Sequence, residues 1–197
     1  MPVVAAASLD PDIQSFLEPL RHAGALTVAV MVSSIDGRAT IGGRVGALTG
    51  EADQQVLLGA REAAVAVIVG ASTVAAEGYR RLLPDRARAR RTARGLPPEP
   101  ELVAFSRSSP PLPELIGSLR ARHPDALLVC EGGPRVLGLL VADGLLDQLI
   151  LAVSPLIVGD DAQQRVLEHP EPLAAALRLL ALTVSGDHLF LRYGLAH

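Results

Sequence analysis

The chain contains no lysine, no asparagine and no tryptophan, and it has one cysteine. All 18 basic residues are therefore arginine, set against 21 acidic ones for a formal charge of −3. Without lysine there is no P-loop lysine, no Schiff-base lysine and no mechanism that needs a perturbed ε-amine. Cys130 alone makes no internal disulfide, and no cysteine and histidine cluster has zinc-ligand spacing, so no metal is expected. No uncharged stretch reaches the roughly 18 residues of a membrane span. The small apolar start, residues 1–8, has no basic region and runs into Asp10 and Asp12, which is not the pattern of a secretory signal. A cytoplasmic setting is the expectation. The near-balanced charge argues against general nucleic-acid binding, with one local exception: seven arginines fall between Arg80 and Arg94. Such a run reads first as a solvated loop and helix face, with an anion site as the alternative.

What is present is a chain of 197 residues, 49% apolar and 20% charged, enough for a sizeable core in one domain. Apolar β-type runs fall at residues 26–32, 64–70, 102–106, 126–131, 148–154, 179–185 and 188–193. Helical patterns fall at 11–22, 51–63, 72–77, 113–122, 134–143 and 163–167. The early strands are continuously apolar, the mark of strands covered on both faces. The alternation predicts an α/β fold with a twisted, mostly parallel sheet flanked by helices. Only Gly186-Asp187 separates the last two strands, so the sheet should be mixed, ending in an antiparallel C-terminal hairpin. The segment 83–100 reads as an exposed connection. The domain division is an N-terminal extension with a short helix, residues 1–25, and a single domain over 26–197.

In open α/β sheets ligands sit outside the carboxyl ends of the strands. Three such ends stand out. Gly70-Ala71-Ser72-Thr73 offers a helix start with hydroxyls, suited to a phosphate or to a plain N-cap. Glu131-Gly132-Gly133-Pro134-Arg135-Val136-Leu137 ends a buried strand in an acid and two glycines. That turn lets a backbone approach a ligand at a helix N-terminus, or serves only as a tight turn. Ser106-Arg107-Ser108 joins hydroxyls to a guanidinium that can grip a phosphate monoester, or is a polar loop. Near the first strand, Ser33-Ser34-Ile35-Asp36-Gly37 forms a turn in which Asp36 suits local backbone bonding. Asp53 opens the next helix, where it orients a substrate or merely favours the helix dipole, and Glu77 closes the helix after the phosphate-type turn; any of Asp36, Asp53 and Glu77 can orient or protonate a substrate.

At these residues the chain resembles the reductase domain of the bifunctional riboflavin-biosynthesis deaminase–reductase family, which has the dihydrofolate reductase-like fold. The matching blocks are Ser34-Ile35-Asp36-Gly37-Arg38-Ala39, Val67-Ile68-Val69-Gly70-Ala71-Ser72-Thr73-Val74, Glu131-Gly132-Gly133-Pro134, and Gly144-Leu145-Leu146-Asp147-Gln148-Leu149 running on to Ser154-Pro155-Leu156-Ile157-Val158-Gly159. They cover most of residues 26–193 in the family's order. The form around Glu77-Gly78-Tyr79 is similar to the stand-alone actinobacterial pyrimidine reductases of that family.

The resemblance implies NADPH as cofactor. It places Gly70, Ala71, Ser72 and Thr73 with Gly132, Gly133, Pro134, Arg135, Val136 and Leu137 around the pyrophosphate and nicotinamide, and Ser106, Arg107 and Ser108 at the adenosine 2′-phosphate. It implies a cis peptide at Gly132-Gly133. Substrate contacts fall on Ser33, Ser34, Asp36 and Glu131, with Arg80 and Arg81 as candidates for a substrate phosphate. Asp53 and Glu77 are the catalytic candidates. The chain departs from the bifunctional enzymes at Val30, where they have lysine, in the stretch Ala75-Ala76-Glu77-Gly78-Tyr79-Arg80, where they have an Ala-Asp-Asp-Pro sequence, and in a shorter segment 109–126. The implied activity is NADPH-dependent reduction of a phosphorylated ribosylaminopyrimidine in riboflavin biosynthesis, by hydride transfer to ribosyl C1′. The associated zinc deaminase step is expected from another protein. A pterin or dihydrofolate reductase on the same fold is the alternative enzyme, and a non-catalytic nucleotide- or nucleic-acid-binding protein the alternative of another class. A homodimer is implied, through the apolar C-terminal half.

Overall fold

The computed structural model describes residues 10–77 and 81–196. In chain order the elements are α1 (Pro11–Arg21), β1 (Thr27–Ser34), α2 (Glu51–Ala63), β2 (Ala66–Gly70), α3 (Ala71–Glu77), α4 (Asp85–Ala93), β3 (Glu101–Phe105), α5 (Leu112–Arg122), β4 (Leu128–Cys130), α6 (Pro134–Ala142), β5 (Gln148–Ser154), β6 (Leu177–Ser185) and β7 (His188–Leu195). The strands form one sheet in the order β3-β2-β4-β1-β5-β7-β6. The first five are parallel. β7 runs back against β5, and β6 against β7. Ser185 pairs with His188 across the two-residue turn, where Gly186 takes φ +58, a backbone conformation that glycine adopts without a Cβ clash.

Strand alternation sorts the core into two layers. On one face Val28, Val30 and Val32 of β1 pack with Val56 and Ala60 of α2 and with Ile13, Phe16, Leu17 and Leu20 of α1. On the other face Ala29 and Met31 pack with Ile116 and Leu119 of α5 and Leu137 and Leu140 of α6. β1, covered by helices on both sides, is buried along its whole length, which accounts for its unbroken apolar run. The four α1 residues recur at i, i+3, i+4 and i+7, one helical face, so this helix is docked into the main core. Its cap is tied down too: Asp10 accepts from the backbone of Asp12 at 2.9 Å and from the Ser185 hydroxyl at 2.7 Å. Among the described residues no helix is long and apolar enough to cross a membrane.

Two sequence expectations are corrected. The segment 83–100 is not an exposed connection; it carries α4, and Arg91 within it is wholly buried. The Arg91 guanidinium donates to the carbonyls of Glu62 (2.8 Å), Ala64 (2.5 Å), Arg61 (3.3 Å) and Pro97 (2.8 Å). It thus satisfies backbone acceptors at the C-terminus of α2, groups that a helix end leaves without partners. A run of arginines does not reveal which member turns inward. Residues 163–167 are not helical either. Gln164 accepts from Ala39, Val166 donates to Gly37, and Arg165 bridges Arg38, so this backbone is spent on the turn after β1. Five residues are also too few to recover the cost of nucleating a helix alone.

Candidate functional site

The five parallel strands send their carboxyl ends to one edge of the sheet, and β7, running the other way, begins there. β3, β2 and β4 are neighbours, so Ser106-Arg107-Ser108, Gly70 to Thr73 and Gly132 to Leu137 lie side by side along that edge. After β3 the hydroxyls of Ser106 and Ser108 bond each other at 2.9 Å, and the Ser106 backbone donates to the Ser109 hydroxyl at 3.0 Å. This compact turn presents Arg107, which is exposed and has no hydrogen bond or ion pair within the described chain. A guanidinium held on an ordered turn with no carboxylate of its own suits a phosphate monoester. Gly70 closes β2 and α3 follows at once from Ala71, with Thr73 in its first turn. The side chains of Ser72 and Glu77, and the whole of Arg80, lie outside the described residues.

β4 ends at Cys130, whose thiol burial pushes up to about 12, a structural sulfur with no thiolate to offer. α6 then begins at Pro134, with Gly133 as a cap that has no side-chain hydrogen bond and with no acid in the first turn. A Cβ on Gly132 would lie 2.6 Å from that of Val136, whereas a Cβ on Gly133 would meet nothing within 4 Å. One glycine is thus required by packing, and the other leaves open space in front of an uncapped helix start, a cradle that fits a phosphate group. The cis peptide implied at Gly132-Gly133 is not found: every described peptide is trans. Gly133 carries the chain into α6 from an ordinary extended conformation (φ −64°, ψ −173°). Val136 and Leu137 both donate to its carbonyl. Leu137 is buried, and exposed Arg135 pairs with Glu168 at 3.4 Å.

The acids differ sharply in their surroundings. Asp53 is 7% exposed and shares the inward stripe of α2 with Val56 and Ala60. Burial pushes its carboxyl up to about 6. Glu131 follows the alternation of Leu127 and Val129, so it faces the same side of the sheet as α2. Both its oxygens accept from Arg61 of α2, Oε1 from Nε and Oε2 from Nη2, each at 2.6 Å, with both side chains 7% exposed. Asp36 accepts from the Ser34 hydroxyl (2.6 Å) and from the backbone of Val158 (3.0 Å) and Gly159 (2.8 Å). These bonds, the serine first, hold its carboxyl well below the usual range. Ser34 also accepts from the Arg38 backbone at 2.9 Å, and Ser33 is buried in the same strand end.

Asp36 is therefore a latch between the β1 turn and the strap that follows β5. That strap runs on over α6, where Glu168 donates to the Pro134 carbonyl. It passes so close that a Cβ on Gly138 would lie 2.1 Å from the Glu168 carbonyl oxygen. The arginine run is largely consumed by structure. Arg81 and Arg88 pair with Asp85, Arg88 with Glu99, and Arg90 forks onto Glu62. Two contributors carried no sequence signal, Arg61 and His188, while Arg91 was one undistinguished member of the arginine run. The His188 ring stacks on Phe190 at 6.3 Å. It also flanks the N-terminus of α2, where a Cβ on Gly50 would come within 3.4 Å of it.

Residues 26–191 match the family described as the RibD C-terminal domain. Among solved structures, a pyrimidine reductase-like protein from Corynebacterium diphtheriae superposes with a TM-score of 0.79 at 20% identity, covering 94% of this chain and 99% of that one. RibD of Acinetobacter baumannii superposes at 0.66 with 19% identity over 87% of this chain, which spans 58% of that protein. Dihydrofolate reductase from Enterococcus faecalis, solved with NADP(H), superposes at 0.51 with 16% identity over 87% of this chain and 97% of that one. The fold is therefore dihydrofolate reductase-like. No curated protein matches the sequence.

Proposed function

The chain belongs to the RibD C-terminal domain family, the pyrimidine-reductase type of riboflavin biosynthesis, and from that premise we propose that it is an NADPH-dependent reductase of a phosphorylated ribosylaminopyrimidine. The observation that carries the reading is the alignment of three anion-suited strand ends along one edge, with a buried carboxyl, Asp53, on the α2 side of the sheet whose proton affinity burial raises. Arg107 with Ser106 and Ser108 would take the 2′-phosphate. Gly70 to Thr73 and the Gly132-Gly133 turn with α6 would take the pyrophosphate and nicotinamide side. When bound, the reduced nicotinamide supplies a hydride to C1′ of the opened ribosyl imine. The imine nitrogen gains a proton in the same reduction. Asp53 is the acid we assign to that proton, because burial raises its carboxyl to about 6 while both oxygens of Glu131 are engaged by Arg61. Glu77 remains a second candidate, and Arg80 and Arg81 the candidates for the 5′-phosphate. The role of the remaining residues is to position and to exclude water.

The assay that tests this compares NADPH oxidation with the phosphoribosylaminopyrimidine and with dihydrofolate. Turnover of the first and not the second is expected. Turnover of dihydrofolate alone would move the protein to the pterin reading, and failure to bind NADPH would remove both. With no tryptophan in the chain, the fluorescence of bound NADPH reports binding directly.

A second copy of the chain is the partner we assign to the open face of β5, β7 and β6. Val153, Leu189 and Val184, then Leu151, Leu191 and Leu182, then Tyr193 and Leu179 align across the three strands. Leu179, Leu182 and Val184 are each about half exposed. Monomers seldom expose contiguous apolar patches beyond a few hundred Å², and this edge strand carries a single charge, Arg178, against pairing. Leu182→Arg is expected to convert a dimer to a monomer in light scattering; a wild-type monomer at micromolar concentration would refute the assignment.

A further inference from the structure

We propose that Arg61 is a positioning residue of the site: through its fork on Glu131 it fixes the Gly132-Gly133 turn against α2, the helix that carries Asp53. The inference deepens the reductase reading and rests on it. Arg61 and Glu131 are 70 residues apart, and their paired side chains are 7% exposed. The third guanidinium nitrogen, Nη1, donates to the Leu82 carbonyl at 3.3 Å. One side chain thereby joins three parts of the candidate site: α2, the segment next to Arg81, and the turn that opens α6. The Arg61 carbonyl in turn accepts from buried Arg91, so the backbone that carries the fork is held as well.

Burying such a pair is not needed for a stable core. Well-packed apolar residues of similar volume serve stability as well or better. What they lack is direction. Apolar burial is indifferent to the angle at which side chains meet, whereas two parallel N–H···O bonds set both distance and orientation. Glu131 is the residue before Gly132, and its own N–H donates to the Ile68 carbonyl of β2 at 2.8 Å. With backbone and side chain both fixed, the peptide leading into the glycines has one direction. That direction decides where the open space over Gly133 faces.

The test separates stability from positioning. The double variant Arg61→Met/Glu131→Leu is expected to melt at or above the wild-type temperature, yet to bind NADPH about tenfold more weakly and to lose about 10²-fold in kcat/KM. Arg61→Lys, which keeps the charge and loses the fork, should fall between wild type and the double variant in NADPH affinity. Arg61→Met alone leaves a buried carboxylate unpaired, and its melting temperature should drop. NADPH affinity and kcat/KM of the double variant equal to wild type would overturn the positioning role while leaving the reductase reading intact. If wild type itself fails to bind NADPH, the reductase reading falls and this inference with it.

Discussion

Asp53→Asn is expected to make the protein more stable at pH 8 and at the same time to lower turnover by about 10²- to 10⁴-fold, the range that a positioned acid contributes. The two effects share one cause. Burial moves the Asp53 carboxyl from its usual 3.8 to about 6, so ionisation favours the unfolded chain. Its contribution to stability is fully present below about pH 4, where both states hold the proton, and is lost as the pH rises through 6. At pH 8 the cost of the buried charge is about 3 kcal/mol. Asparagine keeps the size and removes the charge. Its advantage in thermal melts should therefore be largest at pH 8, shrink between pH 6 and 4, and vanish below. In wild type, kcat/KM should fall as the pH rises through about 6. A variant no more stable than wild type at pH 8 would show that Asp53 is better solvated than its burial indicates, and one with full turnover would remove it from the chemistry.

The largest loss of stability is expected from Arg91→Met. Arg91 is fully buried and gives charge-assisted hydrogen bonds to four carbonyls at the end of α2 and in the loop after α4. Burial lowers its own pKa, with the neighbouring charge of Arg94 adding to the effect, a cost that the carbonyls offset. Methionine fills much of the volume and leaves those carbonyls without their donor, which should cost about 3–5 kcal/mol and lower the melting temperature by about 10 °C. Arg88→Met, three residues earlier on a partly exposed, salt-bridged side chain, should cost at most about 1 kcal/mol. Equal losses in the two variants would show that the buried cap has no special weight.

The contrast between these two arginines marks the limit of what a reader of the sequence can find. Both occur in one polar run, and nothing in the spacing of Arg86, Arg88, Arg90 and Arg91 tells which one turns inward. Polar composition made the whole segment look exposed, and helical geometry then directed one member to the end of α2. Glu131 presents the same difficulty. Its place before two glycines marked the turn, but the cation that holds it lies 70 residues away. Asp53 was legible as a helix-start acid, while its proton affinity depends on how deeply α2 packs against the sheet. Asp36 was legible as a turn former; that it also latches Val158 and Gly159 depends on the strap that comes back after β5.

By itself the sequence determined what short-range physics controls: the apolar runs that became strands, the amphipathic period of α1 and α2, the Gly186-Asp187 hairpin, and the glycine turn before Pro134. These follow from backbone sterics and from side-chain periodicity over a few residues. Only the tertiary structure decided which charges are buried and with whom, because desolvation and ion pairing depend on distances between segments remote in the chain. That is why the absence of lysine, plain from composition, took its meaning from the fold: the buried cation facing Glu131 is an arginine that comes from α2.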